Sequence, residues 1–326
     1  MGKHLFGRGI PLTALALLIT TFAGLSAQPA AAASVSFVID DVTYSADDAD
    51  VNAGASITSY AGVGGALVLP TTVVIGSETY EVTSISADAF KEKSITAVTL
   101  PSSLTLIGPA AFQNNSLSTV SVPSGVTSIG AYAFFNNELT AIGLPAVLDS
   151  IGNNAFGYNA LTTVTIPSLV TQINAFAFQY NQLASVILHD GVTSIQTGAF
   201  RGNQLTSVTV PSEVSIIGNI AFAENPSLAS VVMDGDAPTA TDAGVDGSFG
   251  SGVGLTVRYR AEFADAYASP WHGYNTEVIA QPSGNNTLAT TGVDLSSGLV
   301  GAGVFVALGL VIVLSRGNRR QRFSSN

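Results

Sequence analysis

A period of 22 residues constrains this chain more than any other feature. Ala-Phe pairs stand at Ala89/Phe90, Ala111/Phe112, Ala133/Phe134, Ala155/Phe156, Ala177/Phe178, Ala199/Phe200 and Ala221/Phe222, six successive intervals of 22 without an insertion. Isoleucines keep the same step from Ile85 to Ile217, and asparagines keep it from Asn115 to Asn225. Prolines at 101, 123, 145, 167 and 211 form another column, with His189 where a proline is due. A unit this short cannot bury its own apolar face, so it has to stack on copies of itself as a solenoid.

The unit from Leu117 to Glu138 is the cleanest copy. Leu117, Val120 and Val122 have the spacing of a short strand, which Pro123 ends because proline cannot donate to a strand ladder. Val126 to Ile129 reads as a second extended segment, and Gly130 to Phe134 as a tight corner, a single helical turn in which Ala133 lets backbones approach and Phe134 fills the centre. Asn136-Asn137 closes the coil, since asparagine tolerates left-handed backbone and bonds neighbouring main chain.

The pattern LTxVxIPxxVTxIGxxAFxxN resembles the BspA-like bacterial surface form of the leucine-rich repeat over roughly Leu67 to Met233. The resemblance implies a repeat solenoid of 22 residues per coil, with short parallel strands on one face joined by tight turns or single-turn helices. It implies no catalytic residue, because the positions that the family shares are core and turn positions.

Lys3 and Arg8 precede an apolar run from Pro11 to Leu25, and Ala31, Ala32 and Ala33 offer small residues to a signal peptidase, so residues 1–33 read as a secretory signal. The exported part contains no cysteine, which excludes disulfides, thiolate metal clusters and thiol nucleophiles. Its 21 acidic and five basic side chains between Ser34 and Thr291 leave a net charge of −16, and no basic cluster is present for a nucleic acid or an anionic membrane.

Residues 34–94 read as an N-terminal cap and an incomplete first repeat, with Val35 to Tyr44 as a capping strand and a nine-residue insert forming a hairpin around Gly76-Ser77. Residues 95–233 are the regular array. Residues 234–279 read as a C-terminal cap: Leu255 to Arg260 as the last strand, Ala261 to Ala268 as a short helix, and Tyr267, Trp271 and Tyr274 as an aromatic lid. Two acidic clusters, at 40–50 and 234–246, lack the ligand spacing of a calcium loop and read as solvated edges, so no metal or other cofactor is expected.

Residues 280–287 form a short linker, and residues 288–326 carry the most specific signal after the repeat. Leu288-Ala289-Thr290-Thr291-Gly292 is followed by an apolar run from Gly298 to Leu314 and then by Arg316, Arg319, Arg320 and Arg322. Those 17 apolar residues make a helix of about 25 Å, enough to hold the chain in a bilayer with its arginines inside. This order resembles a Gram-positive sorting signal of the LAxTG type. It implies that a sortase cuts between Thr291 and Gly292 and joins Thr291 to a peptidoglycan precursor; a single-pass membrane protein with the solenoid outside is the alternative.

No nucleophile elbow, zinc-binding helix or phosphate loop occurs, and of the histidines outside the signal, His189 sits at a turn and His272 in the cap. The chain therefore reads as a displayed binding module for an unknown protein or glycan, with a structural wall protein as the alternative. The candidate binding face is the outward side of the strands: Ser118, Thr119 and Ser121, then Thr162, Thr163 and Thr165, then Thr206, Ser207 and Thr209. Such threonine ladders also resemble those of ice-binding proteins, though Ala141, Gly143 and Ile187 interrupt the pattern, and a carboxylate pair of the kind a wall hydrolase uses is left open.

Overall fold

The computed structural model describes residues 34–47, 50–240, 247–250, 254–267 and 272–279. Each 22-residue unit makes one coil of a β-solenoid, and strands in successive coils pair in parallel at a shift of one unit. Thr163–Thr165 pairs with Ser185–Ile187, and Gln172–Ile173 pairs with Ser194–Ile195, which pairs in turn with Ile216–Ile217. The Ile column points inward from the second of these strand rows, as a period-2 segment with one buried face requires.

All seven Ala-Phe pairs are at most 2% exposed. From Phe90 to Phe222 neighbouring rings stack at 5.0–5.7 Å between centroids and within 15° of parallel. Burying each ring is worth about 1.5–3 kcal/mol, with about 0.5–1.5 kcal/mol more from ring-on-ring contact. The column is longer than its period shows. Phe249 continues it at 5.5 Å from Phe222 although the spacing is no longer 22, which brings the solenoid to about eight turns. Tyr60 opens the column at 5.6 Å from Phe90, and Tyr274 closes it edge-on against Phe249.

The asparagine column is a second interior device. Asn137 accepts from the Leu117 N–H at 3.1 Å and donates to the carbonyls of Phe112 at 2.9 Å and Phe134 at 3.2 Å, so one side chain ties its own coil to the preceding one. Asn181, Asn203 and Asn225 repeat the arrangement. Such pairing is what buried main-chain groups require wherever the chain turns too sharply for a ladder.

The corner differs from the expected helical turn. Gly130 to Phe134 forms consecutive tight turns: the Ala133 N–H reaches the Gly130 carbonyl at 3.3 Å, while Tyr132 adopts a left-handed φ of 59°. A helix would point successive N–H groups back along its own axis, whereas here they bond across coils, Tyr132 to Asn153 at 2.8 Å and Phe134 to Ala155 at 2.8 Å. Gly130 is required by closeness, since a Cβ there would stand 2.4 Å from the backbone nitrogen of Pro109.

Both ends also depart from the sequence reading. Val35 to Tyr44 is not one strand: Ser34–Ile39 and Val42–Asp47 pair antiparallel, and Asp40-Asp41 turns between them with φ of 46° and 63°. The insert is a hairpin of Thr72–Ile75 with Glu78–Ile85. Gly65–Val68 then pairs in parallel with Ile95–Thr99, Leu67 opposite Val98. At the other end Thr256–Arg260 is not the last strand, because Asn275–Ile279 adds to it in parallel. The expected helix after it is a single 3-10 turn, Ala261–Phe263. Bonds spanning three residues continue to Tyr267, whose ring is buried against Tyr259 at 4.8 Å and whose hydroxyl donates to the Gly235 carbonyl at 3.1 Å.

Candidate binding faces

The nine hydroxyl residues singled out on the strands, Ser118, Thr119, Ser121, Thr162, Thr163, Thr165, Thr206, Ser207 and Thr209, are all exposed. Alternation dictates this, since Val120, Val122, Val164 and Val208 between them point into the core. They line one face, but the register breaks up their columns: Ser121 faces Gly143, Thr165 faces Ile187, and Thr209 faces Val232. A regular hydroxyl array of the ice-binding kind is therefore not formed, and Ile187 stands 61% exposed where a hydroxyl would be needed. At the N-terminal part of this face a groove of about 410 Å³ runs between Leu67, Val68, Val98, Thr99, Thr119 and Ser121. Small hydroxyls and apolar walls suit it to a contact surface.

His189 has a structural task. Its Nδ1 accepts from the Gly191 N–H at 3.0 Å, which leaves the proton on Nε2 to donate to the Val170 carbonyl at 3.0 Å. A proline in that column closes the turn by its fixed φ; the imidazole closes it by bridging two coils. His272 lies in a turn with φ of 49°. Asp50 caps the 3-10 turn Val51–Ala53 by accepting from Asn52 at 2.9 Å, and Asp234 pairs with Arg260 at 3.1 Å, so these acids have local partners. Asp48, Asp242, Asp246 and Trp271 lie outside the described residues, as do Ala31, Ala32, Ala33 and the Leu288, Ala289, Thr290, Thr291, Gly292 segment. Among the described residues no helix is long and apolar enough to cross a membrane.

The turn face carries a feature that the sequence reading missed. Each coil presents two left-handed positions there, occupied in successive coils by Asp88, Ala110, Tyr132, Asn154, Phe176, Gly198 and Ile220, and by Glu92, Asn114, Asn136, Tyr158, Tyr180, Gly202 and Glu224. Three of the aromatic members, Tyr132, Tyr158 and Tyr180, form a row on the surface together with Phe135. Tyr132 meets Phe135 at 5.4 Å, Phe135 meets Tyr158 at 5.2 Å, and Tyr158 meets Tyr180 at 4.7 Å. The Arg201 guanidinium then lies 5.4 Å over the Tyr180 ring and pairs with Glu224, which also accepts from the Tyr180 hydroxyl at 3.0 Å. The hydrogen bonds from Arg201 hold the Glu224 carboxyl below its ordinary range, while desolvation, aided by the bond to Glu224, raises the Tyr180 phenol. The signal in the sequence was present: Tyr158 and Tyr180 are 22 apart, one residue before members of the Asn column.

Comparison with known proteins agrees with this architecture. The family described as a BspA type leucine rich repeat region matches residues 83–203 and 149–240, in six copies. A leucine rich cell surface protein from Faecalibacterium prausnitzii is 25% identical with a TM-score of 0.49, over 64% of this chain and 57% of that one, so the chain spans little more than half of that protein's length. A leucine-rich repeat protein from Bacteroides ovatus is 21% identical with a TM-score of 0.52, over 74% of this chain and 76% of that one, a likeness that speaks for the fold. No curated protein matches the chain. Residues 83 to 240, a little under half of the chain, are thus similar to a BspA-type leucine-rich repeat region.

Proposed function

We propose that the chain is an exported surface protein, anchored to a Gram-positive cell wall, whose solenoid is a binding module. The observation that carries the binding reading is the division of labour within the repeat. The Ile, Ala, Phe and Asn columns are used up inside the stack, while the outward positions vary from coil to coil, as Gly143, Thr165, Ile187 and Thr209 do along one row. A scaffold that holds its shape with interior columns leaves its faces available for recognition. Anchoring rests on the order of the tail: LATTG, apolar run, arginines. A sortase would then act on Thr291 while the apolar run holds the chain at the membrane, and the eight-residue spacer 280–287, at most about 28 Å when extended, keeps the solenoid close to the wall.

The purified exported chain, screened against arrayed glycans and against proteins of neighbouring cells and host surfaces, tests the binding part. One ligand held specifically and competed by its own soluble form supports it. A chain that is abundant in the wall and retains nothing is a structural wall protein instead.

A further inference from the structure

We infer that the row of aromatic side chains on the turn face, and not the hydroxyl face, is a docking strip for a linear, uncharged polysaccharide. This rests on the binding-module reading and gives it a place and a ligand class. Tyr132, Phe135, Tyr158 and Tyr180 succeed one another at 4.7–5.4 Å between centroids across three adjoining coils. Tyr132 and Tyr158 remain 41% and 45% exposed. The row is a single ring wide, flanked by polar groups at both ends. Beyond one end the exposed Asn136 amide donates to Asn114 at 3.0 Å, and Asn114 donates to Glu92 at 3.2 Å; at the other end stand Arg201 and Glu224. From Glu92 to Glu224 the strip crosses six coil-to-coil steps, about 29 Å at the usual spacing of strands.

Three physical arguments select the occupant. First, aromatic faces offer flat apolar area together with polar rims, which suits the C–H faces of pyranose rings, while carboxylates accept from ring hydroxyls and amides both accept from and donate to them. Second, charge excludes anionic polymers. The exported part carries −16, and Arg201 is neutralised by Glu224. Third, width excludes a typical folded protein partner. A stable protein contact needs roughly 800 Å² on each side with a broad apolar centre, whereas a chain of sugars needs only a narrow track repeating along its own direction. The solenoid axis supplies that repeat, one step per coil.

The backbone also argues that the rings are there for their side chains. Tyr158 and Tyr180 sit at φ of 56° and 49°, where asparagine or glycine is the easier choice and where Asn114, Asn136 and Gly202 stand in adjoining coils. The same fact provides a variant that keeps the fold. Tyr158→Asn with Tyr180→Asn restores the residue type of the neighbouring coils and removes two rings.

The test is calorimetric titration of the purified exported chain with cellohexaose, laminarihexaose, mannohexaose and chitohexaose. At least one is expected to bind. The double asparagine variant should lose at least about tenfold in affinity with an unchanged melting temperature. Tyr158→Phe should keep its affinity, and so should Thr163→Ala with Thr165→Ala on the strand face. Affinity that survives loss of both rings, or that is lost with the threonines, removes the strip as the site while leaving the chain a glycan binder. If none of the four hexasaccharides binds, the inference of a polysaccharide strip is wrong. A protein ligand found in the independent screen and blocked by the same asparagine pair would reassign the strip to protein recognition.

Discussion

The strand face and the turn face are built from the same 22-residue unit, yet they select side chains by different rules. On the strand face the backbone is extended, any L-residue fits, and the outward row Gly143, Thr165, Ile187, Thr209, Val232 shows four residue types at five positions. On the turn face the backbone is left-handed twice per coil, a conformation that costs a residue with a Cβ about 1–2 kcal/mol. Only Gly198 and Gly202 among those 14 positions avoid that cost. It is offset by hydrogen bonds to the next coil, as when the Tyr158 N–H donates to the Gln179 carbonyl at 2.9 Å. Variation on the strand face is thus cheap and carries little information. A bulky ring on the turn face is chosen against the local preference, which makes it the more informative of the two.

The largest effect should come from neither face. Phe156→Ala empties a fully buried place in the phenylalanine column and is expected to cost about 3–5 kcal/mol in chemical denaturation. A loss below about 1 kcal/mol, in the range of surface changes, would mean that the interior does not hold the stack and that both faces owe their order to something else. Asn181→Leu comes next. It leaves the Leu161 N–H and the carbonyls of Phe156 and Phe178 without their side-chain partner, and about 2–3 kcal/mol should be lost. An exposed asparagine on the strand side of the coil would show no such cost.

A pair of glycine substitutions addresses the comparison itself. Ile220→Gly, at a φ of 51°, should leave stability unchanged or raise it by up to about 1 kcal/mol, because a β-branched residue is replaced by one that accepts the conformation. Thr163→Gly, in a strand, should lower stability by about 0.5–1 kcal/mol. Thermal melts showing the same sign for both would contradict the contrast between the faces. The smallest effect is that of pH on the Arg201 and Glu224 pair. The Glu224 carboxyl titrates lower in the folded chain than in the unfolded one, so its contribution is present above the ordinary glutamate range and disappears as pH falls through the folded value. Both groups are partly exposed, which limits the effect to about 0.5 kcal/mol. Melts of Glu224→Gln and the parent at pH 7 and pH 3 should differ by that amount at the higher pH, and the difference should shrink at the lower.

What was legible in the sequence was whatever repeats without interruption. The Ile, Ala, Phe and Asn columns could be read as interior from their spacing, and they are buried except for Asn115 and Asn159, which are half-buried. Phe249 belongs to the same column but was invisible, because the loop that begins at Asp234 breaks the count before it. The corner at Gly130 looked helical because Ala and Phe tolerate a helix; inter-coil hydrogen bonds, which no single coil reveals, decide for turns. Asp40-Asp41 was hidden inside a run that alternates like one strand, since a reversal at two aspartates lacks the usual glycine signal. The hydroxyl face could be read from alternation. The aromatic row is displayed only in part: Tyr158 and Tyr180 share a column, but the row joins them to Tyr132 through Phe135, at two other positions of the unit.

The proposed docking strip can meet a polysaccharide outside the cell only if the stack is displayed there, so the tail is what has to be tested. The direct measurement is mass spectrometry of the C-terminal peptide of the protein released from purified, detergent-boiled walls by a wall hydrolase. The account predicts a peptide ending at Thr291 with a peptidoglycan fragment joined to its carboxyl group, and Thr291→Ala should move the protein to the membrane fraction. Native protein recovered from detergent-solubilised membranes with its sequence running through Arg322 to Asn326 would contradict it and establish a membrane-spanning tail.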